Sequence, residues 1–145
     1  DEEGKDLPSK AIYERFSERY VDQPGGRLQF VEHHSHTDKA NKQVRHVEAE
    51  ITDNGETVRI DGRGTGPIDG FVNALSNYLG FEMTVANYSE HSLQHGSNAA
   101  AICYMEMDSP AGKVYGVGIN TNIVAASLAA VVSAANRYLE IKANA

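Results

Sequence analysis

Histidine, serine and cysteine are the side chains whose grouping in this sequence bears on chemistry. His33, His34 and His36 share one short stretch, with His46 ten residues beyond the last of them. On an extended strand His34 and His36 project to one face, and with a third ligand they would seed a zinc site able to support a small metallohydrolase. No further His, Cys or Asp set stands at metal-site spacing, so a solvated edge strand accounts for the run better. Ser92 lies near His91 and His95, but no Gly-x-Ser-x-Gly elbow presents it as a nucleophile. Cys103, the single cysteine, falls among Ala101, Ile102 and Met105, where a buried, inert thiol is expected rather than a nucleophile. It makes no internal disulfide and fits a reducing, cytoplasmic setting. Catalysis by these groups is therefore not expected.

Binding is better supported. Gly62, Gly64 and Gly66 alternate ahead of Pro67, and Ile68, Phe71, Val72, Leu75 and Leu79 then form one helical stripe. Pro67 suits a first helical position, because the N–H it lacks would be unpaired there anyway. Glycines before a helix start allow a sharp turn and close approach to free N–H groups, a natural seat for a carboxylate or phosphate. No Gly-Lys-Ser/Thr follows, so the segment is not a P-loop, and the βαβ context of a dinucleotide site is missing. Gly116 and Gly118 repeat the spacing, 54 residues on from Gly62 and Gly64. Asn120, Thr121 and Asn122 then offer caps to a helix striped by Val124, Leu128, Val131, Ala135 and Leu139.

The elements that position these two starts also repeat. Val47, Ala49 and Ile51 alternate before Asp53-Asn54-Gly55, a strong hairpin signal, and residues 99–107 precede Asp108-Ser109-Pro110-Ala111-Gly112. In order, we expect a helix over 8–21, then strands over 28–36, 44–52 and 57–61 and a helix over 67–79. Strands over 81–88, 99–107 and 113–117 follow, with 90–98 as a polar loop, and a long helix ends the chain. Gly80 suits the C-cap of the first stripe helix. The fold class is α+β: two βββα units with helices packed on sheets, preceded by one linker helix. Pro24-Gly25-Gly26 marks a boundary between residues 1–26 and a domain over 27–145.

Composition narrows the partners. The chain has 145 residues, 41% of them hydrophobic, enough for a single core. Its 13 basic and 20 acidic residues leave a net charge of −7, which argues against nucleic acid. No apolar run suggests a membrane span and no signal peptide is seen. The start at Asp1, without methionine, fits a fragment of a larger chain. Ala99, Ala101 and Cys103 put three small side chains on one strand face, leaving room either for a closely packed helix or for a ligand. With two polar helix starts nearby, the ligand reading is a small amphiphile bearing a carboxylate and an alkyl group, such as a free branched-chain amino acid.

Gly64-Thr65-Gly66-Pro67, the run from Val85 through Tyr88 to His91, and Val114-Tyr115-Gly116-Val117-Gly118-Ile119 with Ala125-Ala126-Ser127-Leu128-Ala129-Ala130 resemble the C-terminal regulatory domain of the 2-isopropylmalate synthase family. The resemblance covers residues 40–140, and the helix over 8–21 is similar to the end of the linker subdomain. It implies an enzyme that condenses acetyl-CoA with 3-methyl-2-oxobutanoate in leucine biosynthesis, through a catalytic barrel absent from this chain. The divalent metal and the catalytic residues would belong to that barrel, leaving no cofactor and no catalysis here. The domain would form a homodimer, bind leucine as feedback inhibitor where subunits meet, and act on the barrel. Carried over by position, the leucine pocket would comprise Thr65, Gly66, Ile68 and Asp69, then Val85, Tyr88 and Ser92, then Ala99 and Ala101, and finally Ile119 and Thr121. Three rival readings remain: a citramalate synthase domain sensing isoleucine, a structural dimerisation module with an empty pocket, and the metallohydrolase built on the histidines.

Overall fold

The alternation of apolar and polar residues that marks the strands is met by two antiparallel sheets, each followed by a helix. A computed structural model describes residues 26–92 and 99–145; the helix expected over 8–21, and His95, lie outside the described residues. Strands β1 (Leu28–Thr37), β2 (Arg45–Asp53) and β3 (Glu56–Gly64) pair in that order, and helix α1 (Pro67–Leu79) follows. Strands β4 (Thr84–Ser92), β5 (Ala101–Ser109) and β6 (Gly112–Asn120) make the second sheet, and helix α2 (Ile123–Ala143) ends the chain. The duplicated βββα reading holds.

Local chemistry sets the corners. Asn54 and Gly55 take φ of 52° and 87°, the doubly positive pair of a tight hairpin. Pro67 opens α1, and Gly80 closes it at φ 84° with its N–H on the Ser76 carbonyl. Phe71, Val72 and Leu75 are buried, while Ile68 and Leu79 at the ends of the stripe are partly so. Along α2, Leu128, Val131 and Ala135 are buried in the same core, which joins both units around Leu28, Ile51, Met83, Met105 and Met107. No helix among the described residues is long and apolar enough to cross a membrane.

The glycines do something other than turn the chain. Gly62 and Gly64 lie within β3, and Gly116 and Gly118 within β6, none with positive φ. A Cβ on Gly62 would stand 2.6 Å from the Ala74 nitrogen and 2.7 Å from the Gly70 carbonyl oxygen. One on Gly116 or Gly118 would collide with the backbone of α2 at Ala130, Ala134 and Ala126. These four positions are bare so that each helix can rest directly on its strand. The expected elbow therefore shrinks to Thr65-Gly66 and Thr121-Asn122, and β3 and β6 run farther than the glycines suggested.

Two other boundaries shift. The strand expected over 81–88 begins at Thr84 and continues to Ser92, into the expected polar loop. Phe81 instead packs on Tyr138, ring centroids 4.2 Å apart, and Met83 is buried, so apolar character there reflects a plug leaving a helix cap rather than strand alternation. β5 starts at Ala101, leaving Ala99 ahead of it.

Candidate functional site

The two helix starts are both built and both partly self-satisfied. At α1, the N-cap Gly66 carries no side chain, and a Cβ there would meet nothing within 4 Å, so space lies open beside it. Asp69, in the first turn, turns back and accepts the Thr65 backbone N–H at 3.0 Å. That is the first-turn role expected of a carboxylate. At α2, Asn122 accepts the Ala125 N–H at 2.9 Å, and Asn120 accepts the Asn122 N–H at 2.9 Å. Thr121 between them is exposed.

The remaining expected residues spread along the second sheet. Ser92 pairs with Ala101, which pairs with Asn120, so Ser92, Ala101 and Thr121 collect at one end, close in sequence to Ala99. Tyr88 pairs with Met105 near the middle, and Val85 pairs with Met107 toward the other end. Seven residues of strand at ~3.3 Å each put Val85 roughly 20 Å from Ser92, several times the length of a free amino acid. Ile119 pairs with Ile102 and faces away from the helices, whereas Tyr88, Ser92 and Ala101 share the helix-facing side with the buried Met105 and Cys103. One chain thus gathers Thr65, Gly66, Ile68 and Asp69 in one place and Ser92, Ala101 and Thr121 in another. It does not bring all eleven residues around one small molecule.

Cys103 lies fully buried on this helix-facing side, and burial pushes its thiol up to about 11. The buried Ser127 hydroxyl donates to the Glu90 carboxylate at 2.6 Å, tying β4 to α2. On the first sheet, His34 and His36 point outward on the edge strand β1. The His36 and His46 rings stack 4.9 Å apart, and His46 Nε2 meets Asp38 at 2.7 Å. That bond, with the Asn41 and Ala40 N–H groups, holds the Asp38 carboxyl below its ordinary range. Burial holds His33, which faces the core, below the usual imidazole value. Among the described residues no three His, Cys, Asp or Glu gather as a metal would need.

The profile of the LeuA allosteric (dimerisation) domain matches residues 6–139. The chain belongs to this LeuA domain family. Among its relatives, 2-isopropylmalate synthase of Rhizobium johnstonii is 69% identical over 99% of this chain and 26% of its own length. That of Brucella suis is 64% identical over 96% of the chain and 25% of its own length. That of Rhodospirillum rubrum is 41% identical over 94% and 24% respectively. The chain spans about a quarter of the length of these curated relatives.

Within this LeuA domain, sequence reasoning missed the residues that fasten the start of β1. The Asn136 side chain accepts the Leu28 N–H at 2.9 Å and donates to the Leu28 carbonyl at 2.8 Å, acting as a neighbouring strand would. Arg27 donates twice to Asp53, at 2.7 and 3.1 Å, and the Tyr78 hydroxyl donates to the same carboxylate at 2.6 Å. The available signal was Asn136 itself, a polar residue directly after the buried Ala134 and Ala135.

Proposed function

We propose that this chain is the leucine-sensing regulatory domain of a 2-isopropylmalate synthase, and that two copies together form the effector site. The observation that carries the reading is the family match over residues 6–139, whose description couples allostery with dimerisation. The open space beside Gly66 and the exposed polar start at Thr121 are compatible with an amino-acid ligand. The spread of Val85, Tyr88 and Ser92 along β4 supports a site drawn from two chains rather than one. The synthase reaction, with its divalent metal and catalytic residues, belongs on this reading to a cytoplasmic parent chain's barrel. Leucine lowers its activity by favouring one dimer arrangement, with a coupling of about 1–3 kcal/mol. That coupling requires the two arrangements to differ in leucine affinity.

Calorimetric titration and thermal shift with leucine, isoleucine and valine test this. Leucine should bind and stabilise most. Isoleucine leading would move the chain to the citramalate synthase reading, a discrimination of only ~1–3 kcal/mol for one methyl position. No heat and no shift with any of the three would end the sensor reading.

A further inference from the structure

Two adjacent residues at the start of β1 are held by different halves of the molecule. Arg27 is held within the first unit. Its guanidinium donates twice to Asp53 at the end of β2, its carbonyl accepts the Asn54 N–H, and the Tyr78 hydroxyl of α1 closes on the same carboxylate. Leu28 is held by the second unit, since the Asn136 amide of α2 accepts its N–H and donates to its carbonyl. Gly26, just ahead, has no room for a Cβ, which would run into that amide. Among the described elements, the substantial contacts between the units are made by α2, on β1 and on α1. Nearer its start the same helix is tied to β4, where the Ser127 hydroxyl donates to Glu90 at 2.6 Å. Glu90 lies between Tyr88 and Ser92 on one face of that strand. Helix α2 therefore runs from the neighbourhood of two expected effector residues to Leu28, with Ser127 and Asn136 about 13 Å apart along its axis.

We propose that Arg27 and Leu28 form the output joint of the domain, two clasps that turn a shift of one unit on the other into a new direction of the chain at Gly26. The inference rests on the sensor reading and adds the residues that pass its signal on. When α2 moves over the first unit, Leu28 goes with Asn136 while Arg27 stays with Asp53. One planar peptide of fixed length joins the two residues, so the difference is taken up by rotation about their φ and ψ angles rather than by stretching. The linker helix expected over 8–21 lies in the chain just ahead of Gly26, and the rotation is handed on in that direction. Asn136 and Arg27 are thus positioning residues for regulation, neither of them among the residues expected to touch the effector.

Leucine affinity and leucine inhibition, measured separately, test the joint. In the full-length synthase that carries this domain, saturating leucine should lower the activity of the unaltered enzyme at least ~fivefold, the lower end of ordinary allosteric couplings. Asn136→Ala should leave activity without leucine unchanged and leucine affinity, read by calorimetry, within about threefold, yet cut the inhibition below ~twofold. Arg27→Ala opens the other clasp at an exposed side chain. It should uncouple in the same way, and it decides the matter if Asn136→Ala does not fold. Asn73→Ala is the control for lost stability, because it removes a comparable bond, to the Arg63 carbonyl at 2.7 Å, that lies within the first unit. Its inhibition by leucine should remain full. Full inhibition in either folded variant, affinity lost in step with inhibition, or equal uncoupling in Asn73→Ala would overturn the joint and leave the sensor reading standing. An unaltered chain that binds no leucine would remove the sensor reading, and the joint with it.

Discussion

Replacing Gly62 with alanine isolates the contact on which the first unit is built. The added Cβ would stand 2.6 Å from the Ala74 nitrogen, 2.7 Å from the Gly70 oxygen and 2.9 Å from the Ala74 Cα. All three are backbone atoms of α1, so no side-chain rotation relieves them. Restoring ordinary contact needs α1 to lift by roughly 0.7 Å, in an interior packed as densely as a crystal. Overpacking of this kind costs about 1–3 kcal/mol. For a domain of this size that corresponds to a fall in Tm of roughly 4–12 °C. Gly66→Ala is the control, because its Cβ meets nothing within 4 Å and its φ of −158° suits any residue; the change should stay within about 0.5 kcal/mol, a lost cap preference set against reduced unfolded-state entropy. Thermal unfolding by circular dichroism reads both. Equal melting temperatures for Gly62→Ala and Gly66→Ala would refute direct helix-on-strand contact as the role of the glycines.

Other perturbations have definite outcomes. Asn136→Ala removes both bonds to the Leu28 backbone and should cost about 2 kcal/mol, with faster hydrogen exchange at Leu28; unchanged exchange there would show the grip to be idle. Arg27 first, and Tyr78 second, hold the Asp53 carboxyl below its ordinary 3.8. A depressed folded value contributes stability above the unfolded value and loses it as pH falls through the folded one. Asp53→Asn should therefore lower the Tm by several degrees at pH 7, a loss of about 1 kcal/mol, and the gap should narrow as the pH falls below the ordinary carboxyl value of 3.8. With its thiol pushed up to about 11, Cys103 is only about one part in a thousand thiolate at pH 8. It should resist a disulfide reagent at that pH until the chain is denatured, and rapid labelling of the native chain would contradict its burial.

What the sequence made legible was whatever depends on neighbours along the chain. The 3.6-residue stripe from Ile68 to Leu79, Pro67 and Gly80 at its ends, and Asn54-Gly55 each encode their geometry locally, so α1 matched residue for residue and the first hairpin turned where expected, at Asn54-Gly55. The duplication was visible for the same reason. Gly62 and Gly116 misled because a glycine that frees the backbone and one that merely lacks a Cβ look alike until the overlying helix is seen. Phe81 was equally ambiguous, since strand alternation and a plug onto Tyr138 share an apolar residue. Asn136 could not be anticipated, as its partner Leu28 lies 108 residues away. The expected pocket was only partly traceable: Thr65 to Asp69 cohere within one turn, whereas Val85 to Ser92 diverge along one strand.

The bare glycines have a mechanical consequence. Where β3 meets α1 and β6 meets α2, no layer of rotatable side chains separates strand from helix, so neither pair can slip by swapping rotamers. Each βββα unit should behave as a stiff plate. The compliant material is elsewhere: all three methionines, Met83, Met105 and Met107, are buried in the core that joins the plates, and unbranched thioethers reshape readily. Any displacement between the units would be absorbed by that soft filling, and α2, riveted to β6 at one end and to Leu28 at the other, would carry it to the start of β1.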